Sequence, residues 1–146
     1  MLKGLDPLLS PDLLHSLRAM GHGDEIVVAD ANFPSASMAR RLVRLDGVSA
    51  VAAADAILSV MPLDDFAPDA AWRMEVVGDP DAEQPIFAEF RRVIAAREGE
   101  QFRLTALERF AFYERASAAF AIVATGEGRL YGNLILKKGV VRPSQS

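Results

Sequence analysis

The sequence contains no cysteine, so neither a disulfide nor thiolate chemistry is open to it. That absence is compatible with a reducing, intracellular setting, and the cytoplasm is the expected location. Histidine is nearly as scarce: His15 and His22 are the whole complement, too few for a zinc site without thiolate help. No apolar run approaches the roughly 18 residues of a membrane span, and Met1-Leu2-Lys3-Gly4-Leu5-Asp6 has no signal-peptide core. Charge of one sign is also lacking. Lys and Arg total 16 against 20 Asp and Glu, a formal net charge of −4, with no block of five like charges. Nothing in that balance attracts nucleic acid or an anionic membrane. Low-complexity linkers and internal repeats are missing too, so residues 1–146 read as one domain, with a flexible tail expected over 142–146.

What the chain does have is apolar residue, 51% of the total, enough for a core unaided by a disulfide or metal. Ser10-Pro11-Asp12 opens a helix with a capping hydroxyl, a proline at the first position and an acid. Leu13, Leu14, Leu17 and Met20 form its apolar stripe, and Gly21 reads as a left-handed stop that leaves His22 just beyond the helix. Glu25–Ala29 is a β-branched apolar run of strand length, suited to burial on both faces. A turn over Asn32–Ser35 feeds a short helix through Met38 to Leu42, with a brief strand at Leu42–Arg44. The Ala-rich stretch Ser49–Met61 predicts a helix that Pro62 ends. Trp72–Val77 reads as a strand and Gly78-Asp79-Pro80 as a turn. An amphipathic helix follows from about Asp81 to Arg97, with Ile86, Phe90, Val93 and Ile94 inward. Strands are expected near Phe102–Leu107, Ala119–Ala124 and Asn133–Lys137, while 108–118 fits helix or loop. Alternating strands and helices imply a layered α/β domain with a mixed sheet flanked by helices, in which the last two strands could pair as a hairpin.

Polar groups at the edges of apolar runs are the candidates for chemistry, since a charge there costs desolvation unless something partners it. His22, at the negative end of a helix dipole, is a candidate acid or else a cap for the helix carbonyls. His15 lies on the polar side of the same helix and reads as solvated. Asp30, at a strand end, either accepts from the hydroxyls of a ligand or caps the next helix. Asp24 either pairs with His22 or bonds turn amides. Arg109 and Arg115 flank an aromatic cluster and suit packing ion pairs as well as a site. Tyr131 and Asn133, spaced by Gly132 on an expected strand, share one face and could read sugar hydroxyls or lie in water. Gly126-Glu127-Gly128 lacks the lysine and hydroxyl of a phosphate loop.

Gly21-His22-Gly23-Asp24, Val28-Ala29-Asp30-Ala31-Asn32-Phe33-Pro34, Arg109-Phe110-Ala111-Phe112-Tyr113-Glu114-Arg115-Ala116, Thr125-Gly126-Glu127, and Tyr131-Gly132-Asn133 with Lys137-Lys138-Gly139-Val140 together resemble the L-fucose mutarotase family. The likeness runs from Leu2 to Val141. The first and last motifs are shared with the D-ribose pyranases, whereas the Arg109–Ala116 block is similar to the fucose branch alone; Asp64–Glu75 matches loosely. The resemblance implies α/β anomer interconversion of a free monosaccharide by acid/base ring opening, with no cofactor and no metal. It implies His22 as the acid, Asp30, Arg109, Tyr131 and Asn133 as sugar contacts, and Tyr113 as a further contributor. The base is left open among Tyr131, Tyr113 and a water, with Asp30 orienting the sugar or His22. It also implies a homo-oligomer, often a decameric ring, with sites near subunit boundaries. The alternatives are pyranose/furanose interconversion and a sugar-binding protein without turnover.

Overall fold

The computed structural model describes residues 1–144. In chain order the elements are α1 (Pro11–Ala19), β1 (Glu25–Ala29), α2 (Ser35–Met38), β2 (Leu42–Leu45), α3 (Ala50–Leu58) and β3 (Ala71–Met74). Then follow α4 (Pro85–Glu98), β4 (Thr105–Leu107), α5 (Arg109–Ala118), β5 (Ala121–Thr125) and β6 (Leu134–Lys137). No helix among the described residues is long and apolar enough to cross a membrane.

The six strands make one mixed sheet in the order β2-β5-β1-β6-β3-β4. β2, β5 and β1 run parallel, as do β3 and β4, while β6 is antiparallel to both β1 and β3. One reversed strand therefore separates two parallel sets that point the same way. β5 and β6 both pair with β1, so the hairpin between them does not form. Successive strand residues face opposite sides, and both sides are buried. Ile26, Val28, Val123, Leu134 and Leu136 join Leu13, Ile57, Phe87 and Phe90 in one core. Val27, Ala29, Ile122, Ile135, Trp72 and Met74 pack with Phe33, Phe112 and Ala116 in the other. The apolar runs of the inner strands β1, β3, β5 and β6 lack alternation because both of their faces are covered, whereas the edge strands β2 and β4 are partly exposed.

Local chemistry explains the ends of the elements. The Ser10 and Ser49 hydroxyls accept from the amides of Leu13 and Ala52 at 3.3 and 3.1 Å, capping α1 and α3. α1 ends at Met20 with ordinary backbone angles, and the left-handed glycine is Gly23 (φ 90°) rather than Gly21. The Lys138 ammonium donates to the Leu17 and Met20 carbonyls at 2.7 and 2.6 Å, serving the orphan acceptors of α1. α4 starts at Pro85, later than its apolar spacing suggests, because Asp79–Ala82 close turns ahead of it. The ambiguous 108–118 segment is α5, nucleated by the Glu108 carboxylate, which accepts from the Phe110 and Ala111 amides at 2.9 and 3.0 Å. Of the tail expected over 142–146, Arg142 is held by two bonds to Asp65 of 2.8 and 3.0 Å, and 145–146 lie outside the described residues.

Gly126 follows β5 where its amide donates to the Val48 carbonyl at 2.9 Å, and a Cβ there would run into the Asp46 carbonyl. Gly126→Ala is expected to cost about 1–3 kcal/mol in urea unfolding, the usual range for overpacking against backbone.

Candidate active site

Because β6 is reversed, the carboxyl ends of the other five strands and the amino end of β6 share one edge of the sheet. Polar side chains just after β1 and β4 and just before β6 are thereby gathered although they lie far apart in sequence. An open cleft of about 230 Å³ forms there, and Asp30, Arg109, Tyr113, Tyr131 and Asn133 all line it. Phe33, Met74, Val77 and Leu130 supply apolar wall. Five of the six site residues that the family resemblance implies line this cleft.

Asp30 and Asn133 are both buried and lock each other. The Asp30 amide donates to Asn133 Oδ1 at 2.8 Å, and Asn133 Nδ2 donates back to Asp30 Oδ2 at 3.1 Å. Asp30 Oδ1 accepts from the Asn32 amide at 3.0 Å, so the carboxylate organises its own turn and does not cap α2. Burial pushes the Asp30 carboxyl above its ordinary value, and the bonds from Asn32, Asn133, Gly132 and Phe33 offset this only in part.

Tyr131 is not on a strand, contrary to the spacing argument: β6 begins at Leu134, and Tyr131 occupies a turn with φ 62°. A left-handed non-glycine residue costs about 1–2 kcal/mol, and it aims the phenol so that its oxygen accepts from the Val77 amide at 3.0 Å. Gly132 permits the turn, since a Cβ there would come within 2.9 Å of the Glu127 side chain and 3.2 Å of Ile86. Tyr113 is held by ring contacts at 5.7 Å to Phe33 and 6.5 Å to Phe110. Arg109 lies over Phe110 at 4.7 Å and has no carboxylate partner among the described residues. Arg115 is different. It grips Glu25 with two 2.7 Å bonds and stacks on Trp72 at 3.7 Å, a packing role.

His22 is the sixth residue, and within one chain it does not reach the cleft. It precedes β1 whereas Asp30 follows it, so a five-residue strand lies between them, roughly 16 Å at 3.3 Å per residue. Its Nε2 bonds Asp64 Oδ1 at 2.9 Å and its ring packs on Phe66 at 4.8 Å, so it does not cap α1. Asp24 takes the structural alternative, accepting from the Gly21 amide at 2.8 Å. His15 is exposed.

Asp64 escaped the sequence reading. It sits 42 residues from His22, and the pairing of Leu63 and Asp64 with Lys137 and Lys138, on whose other side lies Gly23, brings it alongside. The signal available was a pair of acids directly after an apolar run. Among the described residues no three His, Asp or Glu side chains form a cluster suited to a metal ion.

A mixed α/β sheet that gathers a buried Asp–Asn pair, two phenols and an arginine without a carboxylate partner beside an apolar wall has the make-up of a small-molecule-binding α/β protein. The chain belongs to the RbsD / FucU transport protein family, whose model matches residues 3–141. The fucose mutarotase of Bos taurus is 48% identical over 149 residues, covering 98% of this chain and 96% of that one. The solved fucose mutarotase of Streptococcus pneumoniae in complex with L-fucose superposes with a TM-score of 0.91 at 49% identity, covering 97% of this chain and 100% of that one. The Bacillus subtilis RbsD complexed with D-ribose shares the fold, with a TM-score of 0.72 at 23% identity over 97% of this chain and 100% of that one. The motif-level resemblance to the fucose mutarotases is thus borne out.

Proposed function

We propose that the protein is a mutarotase interconverting the α and β anomers of L-fucose or a closely similar free monosaccharide. The observation that carries this reading is the cleft itself, where Asp30, Arg109, Tyr113, Tyr131 and Asn133 converge beside an apolar wall. Mutarotation needs a proton removed from the anomeric hydroxyl and another delivered to the ring oxygen as the bond from that oxygen to the anomeric carbon breaks. The open-chain aldehyde then recloses on its other face, and no electrons leave the sugar, so no cofactor is required. Arg109 and the remaining Asn133 amide proton orient hydroxyls by charge-assisted and neutral hydrogen bonds. Tyr131 is the base: its oxygen, ionised for the step, takes the anomeric hydroxyl proton while the Val77 amide donates to that same oxygen. Asp30 accepts from a neighbouring hydroxyl and fixes the ring.

His22 serves as the acid, delivered to the cleft of one subunit by a second copy of the chain. Its position at the far end of β1 supports this, as do the exposed apolar side chains at each end: Val77, Phe110 and Leu130 around the cleft and Phe66 beside His22. Such patches suit a subunit interface, and a closed ring, a decamer included, would use each end once per contact. The cysteine-free composition fits a reducing compartment such as the cytoplasm.

The test is NMR saturation transfer between the α and β anomeric protons of L-fucose with and without protein, repeated with D-ribose. Accelerated exchange of fucose is expected. Exchange confined to the ribose pyranose and furanose forms would reassign the chain to pyranase chemistry, and sugar binding without exchange would make it a binding protein.

A further inference from the structure

Asp64 is an internal carboxylate with every oxygen engaged. Only 2% of its side chain is exposed. Oδ1 accepts from His22 Nε2 at 2.9 Å and from the Phe66 amide at 3.2 Å, while Oδ2 faces the Lys137 ammonium at 3.6 Å. Burial works to raise its pKa, but the His22 bond, the Phe66 amide and the charges of Lys137 and His22 outweigh it, and the group stays below the ordinary carboxylate range. It is therefore ionised at neutral pH and can only accept. A nitrogen 2.9 Å from it must be a donor, so His22 Nε2 carries hydrogen whether the ring is neutral or charged. The other ring nitrogen, Nδ1, has no partner among the described residues, and 44% of the His22 side chain is open.

We infer that Asp64, braced by Lys137, is a positioning residue that holds His22 as the Nε2–H tautomer, so that the proton exchanged with the sugar travels on Nδ1. The inference rests on His22 being the acid of the proposed mutarotase. The step balances simply: the imidazolium gives its Nδ1 proton to the sugar ring oxygen as the bond from that oxygen to the anomeric carbon breaks, and the anomeric hydroxyl gives its proton to the base, leaving the neutral aldehyde. The neutral Nε2–H ring then recovers a proton at Nδ1 when the ring recloses. Asp64 accepts the same hydrogen bond before and after, so it fixes tautomer and ring orientation without itself changing protonation, and the ring of Phe66 at 4.8 Å limits rotation. The design links three segments that the fold alone brings together: His22 before β1, Asp64 before β3 and Lys137 at the end of β6.

The decisive measurement is a long-range ¹H–¹⁵N correlation spectrum of the intact, histidine-labelled protein at alkaline pH, where the imidazole is neutral. For His22 the expected pattern is a protonated Nε2 and an unprotonated Nδ1; the opposite tautomer, or an even mixture, overturns the inference. Asp64→Ala should convert His22 to a tautomer mixture and lower kcat for L-fucose exchange about 10–100-fold with KM little changed. Asp64→Glu should restore much of both. If Asp64→Ala does not fold, Lys137→Met leaves the carboxylate in place, and retention of the Nε2–H pattern with partial loss of kcat is expected; wild-type kcat would overturn the bracing role. Full activity in His22→Ala would instead sink the assignment of the acid, whatever tautomer the spectrum shows.

Discussion

Replacing His22 by alanine is expected to lower L-fucose anomer exchange by about 10²–10⁴-fold, the contribution of one positioned acid. The protein should stay folded. The ring is partly exposed, and Asp64 keeps the Phe66 amide and Lys137 after its loss. A sharper result follows from the geometry, because His22 and Asp30 flank β1 at opposite ends and the proposed site draws them from different copies. Subunits carrying His22→Ala and subunits carrying Asp30→Ala, each inactive alone, should regain activity when unfolded together and refolded. Random pairing leaves about a quarter of sites with both native residues. Mixed assemblies as inactive as the parents would show that the two residues do not share a site across copies.

The second large effect concerns Asp30. Asp30→Ala removes the group that locks Asn133 and the Asn32 turn, and a loss of about 10²–10³-fold in kcat/KM is expected. Stability should change little, by ~1 kcal/mol, because the lost hydrogen bonds are offset by relief of a buried charge. The sign of the pH effect is fixed by burial. The folded-state value of Asp30 is raised, so its protonated form is the one folding favours. Its contribution to stability is full at acid pH and is lost as pH rises through the folded value. Activity is expected to run the other way, because in the proposed mechanism the Asp30 carboxylate accepts from a sugar hydroxyl. Exchange by the wild type should therefore fall on the acid side at a midpoint above the ordinary 3.8. A midpoint at or below 3.8 would remove Asp30 from the rate-limiting chemistry.

Much of the architecture was legible along the chain. The capped start of α1, the doubly buried run of β1 and the Ala-rich α3 are local facts, set by hydroxyl caps, β-branching and propensity. The cleft residues were legible as well, though by motif and not by spacing. Tyr131 and Asn133 were paired by a strand argument, yet they meet through a left-handed turn. Short apolar runs do not reveal where a strand begins, and a positive φ at tyrosine has no sequence signature. Arg115 and Asp24 looked like site candidates with structural alternatives, and in each case a nearby partner takes up the side chain.

The sequence by itself determined the chemical inventory: no thiol, two imidazoles, charges of both signs in near balance, and a set of Asp, Arg, Tyr and Asn side chains at the ends of apolar runs. Tertiary structure alone decided which ends meet. The reversal of β6 puts Asp30, Arg109 and Tyr131 on one edge and sends His22, Asp64 and Lys137 to the other. Strand order and direction depend on long-range pairing, whose free energy comes from burying both faces of the sheet at once, and no local window of residues contains it.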